Sequence, residues 1–149
     1  MVSDSILIID EDKEFLAKAL DFLIVQMNLE NVIWAVTPEE AEEKIKMFNP
    51  RIIILDLGTK KLRGEEISSV INSSPNPPVI IMTSYEDNDD YLDLTHDLGA
   101  DGFFKKDRLK TALPKLMEYL NPDYQNRNSD NPGSKNYNDL FSDKSFLLN

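Results

Sequence analysis

The chain has 149 residues, of which 41% are hydrophobic and 29% are charged, a composition that fits one folded domain. Its formal net charge of −11 argues against nucleic acid or an anionic membrane as the main partner, since both favour clustered lysine and arginine. The sequence contains no cysteine, which excludes disulfides and thiolate metal sites. It shows no apolar run long enough for a signal peptide or a membrane span, and we therefore expect a cytoplasmic protein.

The first part of the chain alternates apolar runs with a helical pattern. Residues 6–9 are solidly apolar, which is typical of a strand covered on both faces. Residues 12–27 place apolar side chains at helical spacing, and residues 32–35 form a weaker apolar run. Trp34 lies in this second run, where we expect it to pack inside.

A second helix has a clear start signal. Thr37 can cap the helix, Pro38 suits its first turn, and Glu40 completes a capping box. These residues predict a helix that runs to about Phe48.

The alternation continues through the middle of the chain. Residues 52–55 and 79–82 are two further solidly apolar runs, which predict the third and fourth strands. Helices are predicted at about 64–73, before a proline-rich stretch, and at 87–98, before Gly99.

The last strand is predicted at 102–104 and the last helix at 107–120. Pro114 lies inside this helix and is expected to kink it or to begin a second segment. The regular alternation indicates an α/β fold with a doubly wound five-stranded parallel sheet flanked by five helices. We expect the strand order 2-1-3-4-5, which makes the first and third strands neighbours.

The composition changes after Leu120. Residues 1–120 are predicted to form one domain, and 121–149 a polar linker with a short apolar tail. The tail brings five large apolar side chains close together: Leu140, Phe141, Phe146, Leu147 and Leu148. We expect it to dock on its own domain or on a partner, a homodimer included, or else to be a linker that leads to an output domain.

Polar residues follow four of the five apolar runs. Asp10 and Glu11 follow the first run, Asp56 the third, Thr83 the fourth and Lys106 the fifth. Ligands of such sheets bind at the carboxyl ends of the strands, where the strand order reverses. We therefore expect the three acidic side chains to converge, with the hydroxyl and the ammonium group beside them.

Converging carboxylates predict a cation site. Two carboxylates about 4 Å apart repel each other by ~4 kcal/mol at an effective dielectric constant near 20. A divalent ion removes this repulsion, and Mg²⁺ prefers carboxylate, water and phosphate oxygens as ligands. The ion would also neutralise charge on a phosphoryl group that is transferred to a carboxylate, while Lys106 and Thr83 hold further phosphoryl oxygens.

At these residues the chain resembles a response-regulator receiver domain, the family of the chemotaxis response regulator, over about 5–120. The matching segments are 6–12, 54–57 with Gly64, 78–84 and 99–107. The resemblance implies a flavodoxin-like fold in which Asp56 is the phosphoacceptor. It also implies that Asp10 and Glu11, together with Asp56, bind Mg²⁺.

The same resemblance implies that Thr83 is a switch hydroxyl and that Lys106, rather than Lys105, contacts the phosphate. Phe103 is then expected to fill the space that Thr83 leaves on phosphorylation. The phosphodonor would be a histidine kinase or a histidine phosphotransfer protein. The chain would be a phosphoacceptor rather than an enzyme, limited to its own phosphotransfer and autodephosphorylation.

Three features depart from the family pattern. One is Phe103, which stands where the switch aromatic is commonly tyrosine. Glu11 follows Asp10 where a second aspartate, or the order Glu-Asp, is usual, and Lys60 stands where proline is usual. One alternative is therefore a degenerate receiver that binds proteins without taking phosphate. A phosphatase of the haloacid-dehalogenase type is another, although it needs a second acid two residues after its nucleophile, where this chain has Gly58.

Overall fold

The computed structural model describes residues 5–58, 61–62, 65–66, 77–86 and 99–120. Five strands of this part form one parallel sheet and two short ones form a hairpin. In chain order the strands are β1 (Ile6–Ile9), β2 (Val32–Ala35), β3 (Ile52–Asp56), β4 (Lys61–Leu62), β5 (Glu65–Glu66), β6 (Val79–Ser84) and β7 (Gly102–Lys105). The sheet order is β2-β1-β3-β6-β7, which confirms the predicted parallel sheet and its order 2-1-3-4-5.

The sheet is apolar through its middle because helices cover both faces. All four side chains of β1 are buried, and alternate residues face opposite layers. Ile6 and Ile8 pack in one layer with Phe15 and Leu113, whereas Leu7 and its neighbours pack in the other layer. Strands buried on both sides need no polar face, and this explains the unbroken apolar runs.

The first helix begins where the sequence predicts. Asp12 caps α1 (Lys13–Leu20) by accepting hydrogen bonds from the backbone N–H groups of Glu14 and Phe15. The helix continues as a π-helix over Asp21–Gln26, so that the predicted span of 12–27 is helical nearly throughout.

The second helix, α2 (Pro38–Phe48), confirms its predicted start and end. The Thr37 hydroxyl accepts a hydrogen bond from the Glu40 N–H at 3.2 Å. The Glu40 carboxylate accepts in return from the N–H of Val36 at 3.0 Å. Asn49 ends the helix in the left-handed conformation, with φ of 45°.

The last helix contains Pro114, which the sequence places inside it. A short 3₁₀ turn over Lys106–Arg108 leads into α3 (Leu109–Leu120), which runs through Pro114 as one element. Pro114 therefore does not begin a second helical segment, which was one of the two outcomes expected for it. Pro114 is exposed, so the carbonyl that loses its helical hydrogen bond can bond to water. No helix in the part of the chain that the structure describes is long and apolar enough to cross a membrane.

The helix predicted over 64–73 does not begin as expected. β4 pairs with β5 in an antiparallel hairpin, in which Leu62 lies opposite Glu65. A two-residue connection that contains Gly64 favours a hairpin over a helix start. The rest of this prediction, the helix at 87–98 and the tail at 121–149 lie outside the described residues.

Trp34 lies on the open edge of the sheet rather than inside the protein. Trp34 is 43% exposed because, among the strands that the structure describes, β2 pairs with β1 alone. Lys44 reaches over this edge, with its ammonium 5.2 Å from the centre of the Trp34 ring, and donates to the Trp34 carbonyl. A lysine at an exposed edge opposes pairing with another strand.

Candidate functional site

The polar residues predicted at the strand ends lie at one edge of the sheet. Asp10 directly follows β1, and its N–H continues the pairing with β2 by donating to the Ala35 carbonyl at 3.1 Å. Asp56 ends β3 and lies opposite Thr83 of β6. Lys106 follows β7. Parallel pairing thus brings residues from distant parts of the sequence to one place.

Lys106 joins two carboxylates. Its ammonium lies 2.7 Å from Oδ2 of Asp10 and 3.0 Å from Oδ1 of Asp56. The side chains of Lys106 and Asp10 are 4% and 2% exposed, whereas that of Asp56 is 22% exposed. Of these three charged groups, Asp56 is the one that a reactant in solution can reach.

Backbone groups hold both carboxylates from their other side. Oδ1 of Asp10 accepts from the N–H of Asp12 at 2.8 Å, and Oδ2 of Asp56 accepts from the N–H of Gly58 at 3.1 Å. A Cβ atom at position 58 would lie 2.8 Å from Oδ2 of Asp56. A side chain at position 58 would therefore require the Asp56 carboxylate to move from its present position.

The charges of the buried pair influence each other. Burial raises the pKa of Asp10, against the opposing effect of its hydrogen bonds with Lys106 and Asp12. For Lys106, burial by itself lowers the pKa, but the hydrogen bonds to Asp10 and Asp56 outweigh burial and raise it. Lys106 is thus held as a cation, and its one ammonium group is shared by two carboxylates.

Thr83 and Phe103 are both buried in this conformation. The Thr83 hydroxyl makes a long hydrogen bond of 3.4 Å to the carbonyl oxygen of Leu55. Phe103 already packs in the layer that contains Leu7. Movement of the Thr83 hydroxyl would therefore break only a weak hydrogen bond. The Phe103 ring is already buried in this unphosphorylated conformation.

The structure does not bring Glu11 together with the other two acids. Glu11 is exposed, and in the described ranges no three acidic or histidine side chains lie close enough to hold a metal ion. The nearby Asp12 caps α1. Asp10 and Asp56 are thus the two predicted ligands that converge.

These two carboxylates fit a hard divalent cation. Oδ2 of Asp10 is buried and, apart from its ion pair with Lys106, has no hydrogen-bond partner among the described residues. The donor set consists of carboxylate oxygens, and the trio with Lys106 keeps one net negative charge. Mg²⁺ is suited to such oxygen ligands, with water and phosphate completing its shell.

Two rings beside Lys106 were not expected from the sequence. The ammonium lies 4.7 Å from the ring centre of Phe15 and 5.0 Å from that of Tyr85. Burial, followed by the charge of Asp12, raises the pKa of Tyr85, which keeps its hydroxyl protonated. No pattern in the sequence joins α1 to the residue after β6, so neither ring could be assigned to the site in advance.

The fold and the site together define a class of protein. An open parallel α/β sheet carries an accessible carboxylate, a buried lysine and a buried hydroxyl at its carboxyl edge. The sequence pattern of the response regulator receiver domain matches residues 6–118. The chain therefore belongs to this family, whose members are phosphoacceptor domains of two-component signal transduction and generally bind Mg²⁺ at an acidic pocket.

Individual relatives agree with this assignment. The chain is 28% identical to the transcriptional regulatory protein DegU of Brevibacillus brevis over 116 residues, which are 77% of this chain and 49% of that protein. It is also 28% identical to the transcriptional regulatory protein LnrK of Bacillus subtilis over 113 residues, which are 74% of this chain and 51% of that protein. The chain spans about half the length of these curated relatives.

Solved structures show the same fold. The signal receiver domain of a DNA-binding response regulator from Colwellia psychrerythraea is similar, with a TM-score of 0.61 and 28% identity, covering 76% of this chain and 98% of that one. The chemotaxis protein CheY4 of Vibrio cholerae is similar in fold, with a TM-score of 0.63 and 22% identity, covering 76% of this chain and 96% of that one.

Proposed function

We propose that Asp56 accepts a phosphoryl group from a phosphohistidine of a histidine kinase or phosphotransfer protein, in a reaction that needs Mg²⁺, and that this modification switches a protein-interaction surface. The observation that carries the proposal is the unequal exposure of two carboxylates that share one lysine. Asp10 is closed off from solvent, whereas Asp56 remains accessible to a donor.

The transfer forms one bond and breaks one. A carboxylate oxygen of Asp56 bonds to phosphorus while the bond from phosphorus to the donor's imidazole nitrogen breaks. The nitrogen keeps the electron pair and takes up a proton from solvent. Transfer of this kind needs mainly positioning and neutralisation of charge on the phosphoryl oxygens.

Lys106 and Thr83 supply two of the groups that such a transfer needs. Lys106 already lies 3.0 Å from Asp56, so its ammonium can contact a phosphoryl oxygen added there. Thr83 lies opposite Asp56 in the sheet, and its weak bond to Leu55 favours a movement of the hydroxyl toward the phosphoryl group. This movement would shift an existing equilibrium of the protein surface.

We further propose that Asp10 and Asp56 hold Mg²⁺, with Glu11 joining them through rotation of its long side chain. The bound ion would neutralise the carboxylates and the phosphoryl oxygens during transfer. Removal of Mg²⁺ with EDTA should stop phosphorylation, and added Mg²⁺ should raise the melting temperature through binding to the folded state. Phosphorylation that proceeds unchanged in EDTA would rule out this assignment.

The direct test uses a small phosphodonor and mass spectrometry. The protein is incubated with acetyl phosphate and Mg²⁺, and we expect the added mass of one phosphoryl group. Asp56→Asn should abolish it, because an amide is no nucleophile toward phosphorus. Asp107→Asn is the matched control, since Asp107 is exposed and pairs with Lys105 rather than with the site. An Asp56→Asn protein that gains the same mass would refute the proposal.

The alternative is a degenerate receiver that binds proteins without phosphate, and the position of Glu11 favours it. Glu11 is exposed and does not join the acidic pair in this conformation. Wild-type protein that gains no mass from acetyl phosphate, yet captures its partner from native extract, would support this alternative. The phosphatase alternative predicts repeated turnover of a phosphate ester, which we do not expect from this site.

The division of the chain into domains and the nature of its partners form a further part of the proposal. We propose that residues 1–120 act as the receiver and that 121–149 act as a polar tether with an apolar end that docks. Deletion of 137–149 should then lower stability, self-association or partner binding. The net charge of −11 supports protein rather than nucleic-acid partners for this chain, although its curated relatives are named as transcriptional regulators.

A further inference from the structure

We propose that Tyr85, together with Phe15, positions the ammonium group of Lys106 beside the two carboxylates, and that this contact supports phosphoryl transfer. The inference rests on the function proposed above and assigns to it a residue that does not itself touch the reacting atoms. Tyr85 is therefore a positioning residue.

The Lys106 ammonium contacts two carboxylates and two aromatic rings. It forms ion pairs with Asp10 and Asp56, at 2.7 and 3.0 Å. It also lies 4.7 Å from the ring centre of Phe15 and 5.0 Å from that of Tyr85. The rings themselves meet edge to face, with centres 6.3 Å apart and planes at 79°. Both distances are within the range at which an aromatic face attracts a cation.

The rings matter because the carboxylate partners of Lys106 change during the reaction. Phosphorylation would convert the Asp56 carboxylate into an acyl phosphate, and a metal ion held by Asp10 would compete with Lys106 for that carboxylate. The attraction of an aromatic face for the ammonium does not depend on either change, and it is strongest where water is excluded. The ring pair therefore keeps the lysine in place while its anionic partner is exchanged.

Burial separates the roles of the two rings. Phe15 is 2% exposed and packs in the core, so its loss would damage the fold as well as the site. Tyr85 is 52% exposed, directly follows β6 and adds little to the core. The Tyr85 ring thus contacts the Lys106 ammonium and the Phe15 ring. Because Tyr85 adds little to the core, we expect its substitution to leave the protein folded.

The experiment compares Tyr85→Leu with Tyr85→Phe. The maximal rate and the apparent donor affinity are measured with acetyl phosphate over a range of concentrations. Tyr85→Leu should lower the maximal rate about fivefold, with a smaller change in apparent donor affinity, because a ring–cation contact of this kind is removed. Tyr85→Phe keeps the ring and should restore the wild-type rate. A Tyr85→Leu variant that reacts at the wild-type rate overturns the inference.

Nuclear magnetic resonance of the unphosphorylated protein gives the second readout. The rings should shift the signals of the Lys106 side-chain methylene protons, and Tyr85→Leu should remove part of this shift while Tyr85→Phe keeps it. Unchanged Lys106 signals in Tyr85→Leu overturn the contact. Wild-type protein that takes no phosphoryl group overturns the proposed function instead, and the Lys106 signals then still decide whether the rings hold the lysine.

Discussion

The middle of the parallel sheet and its carboxyl edge follow opposite rules. In β1, four consecutive side chains are apolar and buried, and the next residue, Asp10, is equally buried but charged. β3 also changes from four buried apolar residues to a charged one, Asp56, which is 22% exposed. Burial by itself thus does not distinguish core from site; the pairing of charges across strands does.

The apolar middle of the sheet and the charged residues at its carboxyl edge also contribute differently to stability. Each apolar side chain that is fully buried in the sheet stabilises the fold by roughly 1.5–3 kcal/mol. A buried charge costs several kcal/mol of desolvation, which ion pairs offset and rarely exceed. The Lys106 trio therefore adds little to stability, and its presence at a sheet edge indicates chemistry rather than packing.

The largest effect that separates the regions is expected from a core truncation. Phe104→Ala removes a fully buried ring from β7 and should lower the free energy of unfolding by about 3–5 kcal/mol. Urea denaturation measures the loss. Phe48→Ala is the control, since Phe48 is half-exposed at the end of α2 and should change stability by less than about 1 kcal/mol. Equal losses in the two variants would contradict the division between core and surface.

Adding one methyl group at the carboxyl edge of the sheet should slow phosphorylation without lowering stability. Gly58→Ala places Cβ 2.8 Å from Oδ2 of Asp56, so the carboxylate must move while the core stays intact. Phosphorylation by acetyl phosphate should slow by about 10- to 100-fold, because small displacements of a reacting group have effects of this size. The free energy of unfolding should change little. A rate equal to wild type would show that the close approach of Gly58 is unimportant.

Removing the shared lysine should improve metal binding. Lys106→Met takes away the ammonium that lies 2.7 Å from Asp10 and 3.0 Å from Asp56, leaving two uncompensated carboxylates. We expect Mg²⁺ affinity to rise on the order of tenfold, measured by calorimetry, while stability without Mg²⁺ falls. Lys105→Met is the control, because Lys105 pairs with Asp107. Unchanged or weaker Mg²⁺ binding in Lys106→Met would place the ion elsewhere.

The smallest effect concerns a half-buried acid at the opposite end of the sheet, Asp101. Asp101 accepts a hydrogen bond from the Ile80 N–H at 2.8 Å, and burial raises its pKa above the usual 3.8, against the opposing effect of that bond. Because the folded state holds this proton more tightly, the stability that Asp101 contributes falls as pH rises from 3.8 through the folded-state pKa.

The corresponding variant should lose that pH dependence. Asp101→Asn keeps an acceptor for Ile80 but carries no charge, so its stability relative to wild type should increase with pH above 3.8. The expected gain is about 1.4 kcal/mol for each unit by which the pKa is raised. Denaturation at a series of pH values measures it, with Asp107→Asn as the exposed control. A stability difference that is constant with pH would disprove this role of Asp101.

Much of the fold could be predicted because local patterns agree with the tertiary structure. Apolar runs marked the five strands of the sheet, and Thr37 with Glu40 marked the start of α2. The errors fall where context overrides local preference. Trp34, which was expected to pack inside, lies on the outermost strand β2, and Glu65–Glu66 form a strand where a helix was expected to begin.

The sequence by itself determined the parallel sheet and the residues that follow its strands, because burial on both faces requires unbroken apolar runs and parallel strands end together. The structure confirmed the expected strand order. Only the tertiary structure decided which of these residues touch. It placed Lys106 between Asp10 and Asp56, left Glu11 exposed and brought the Tyr85 ring to the ammonium. Contacts between side chains from distant strands depend on rotamers and distances that no local pattern encodes.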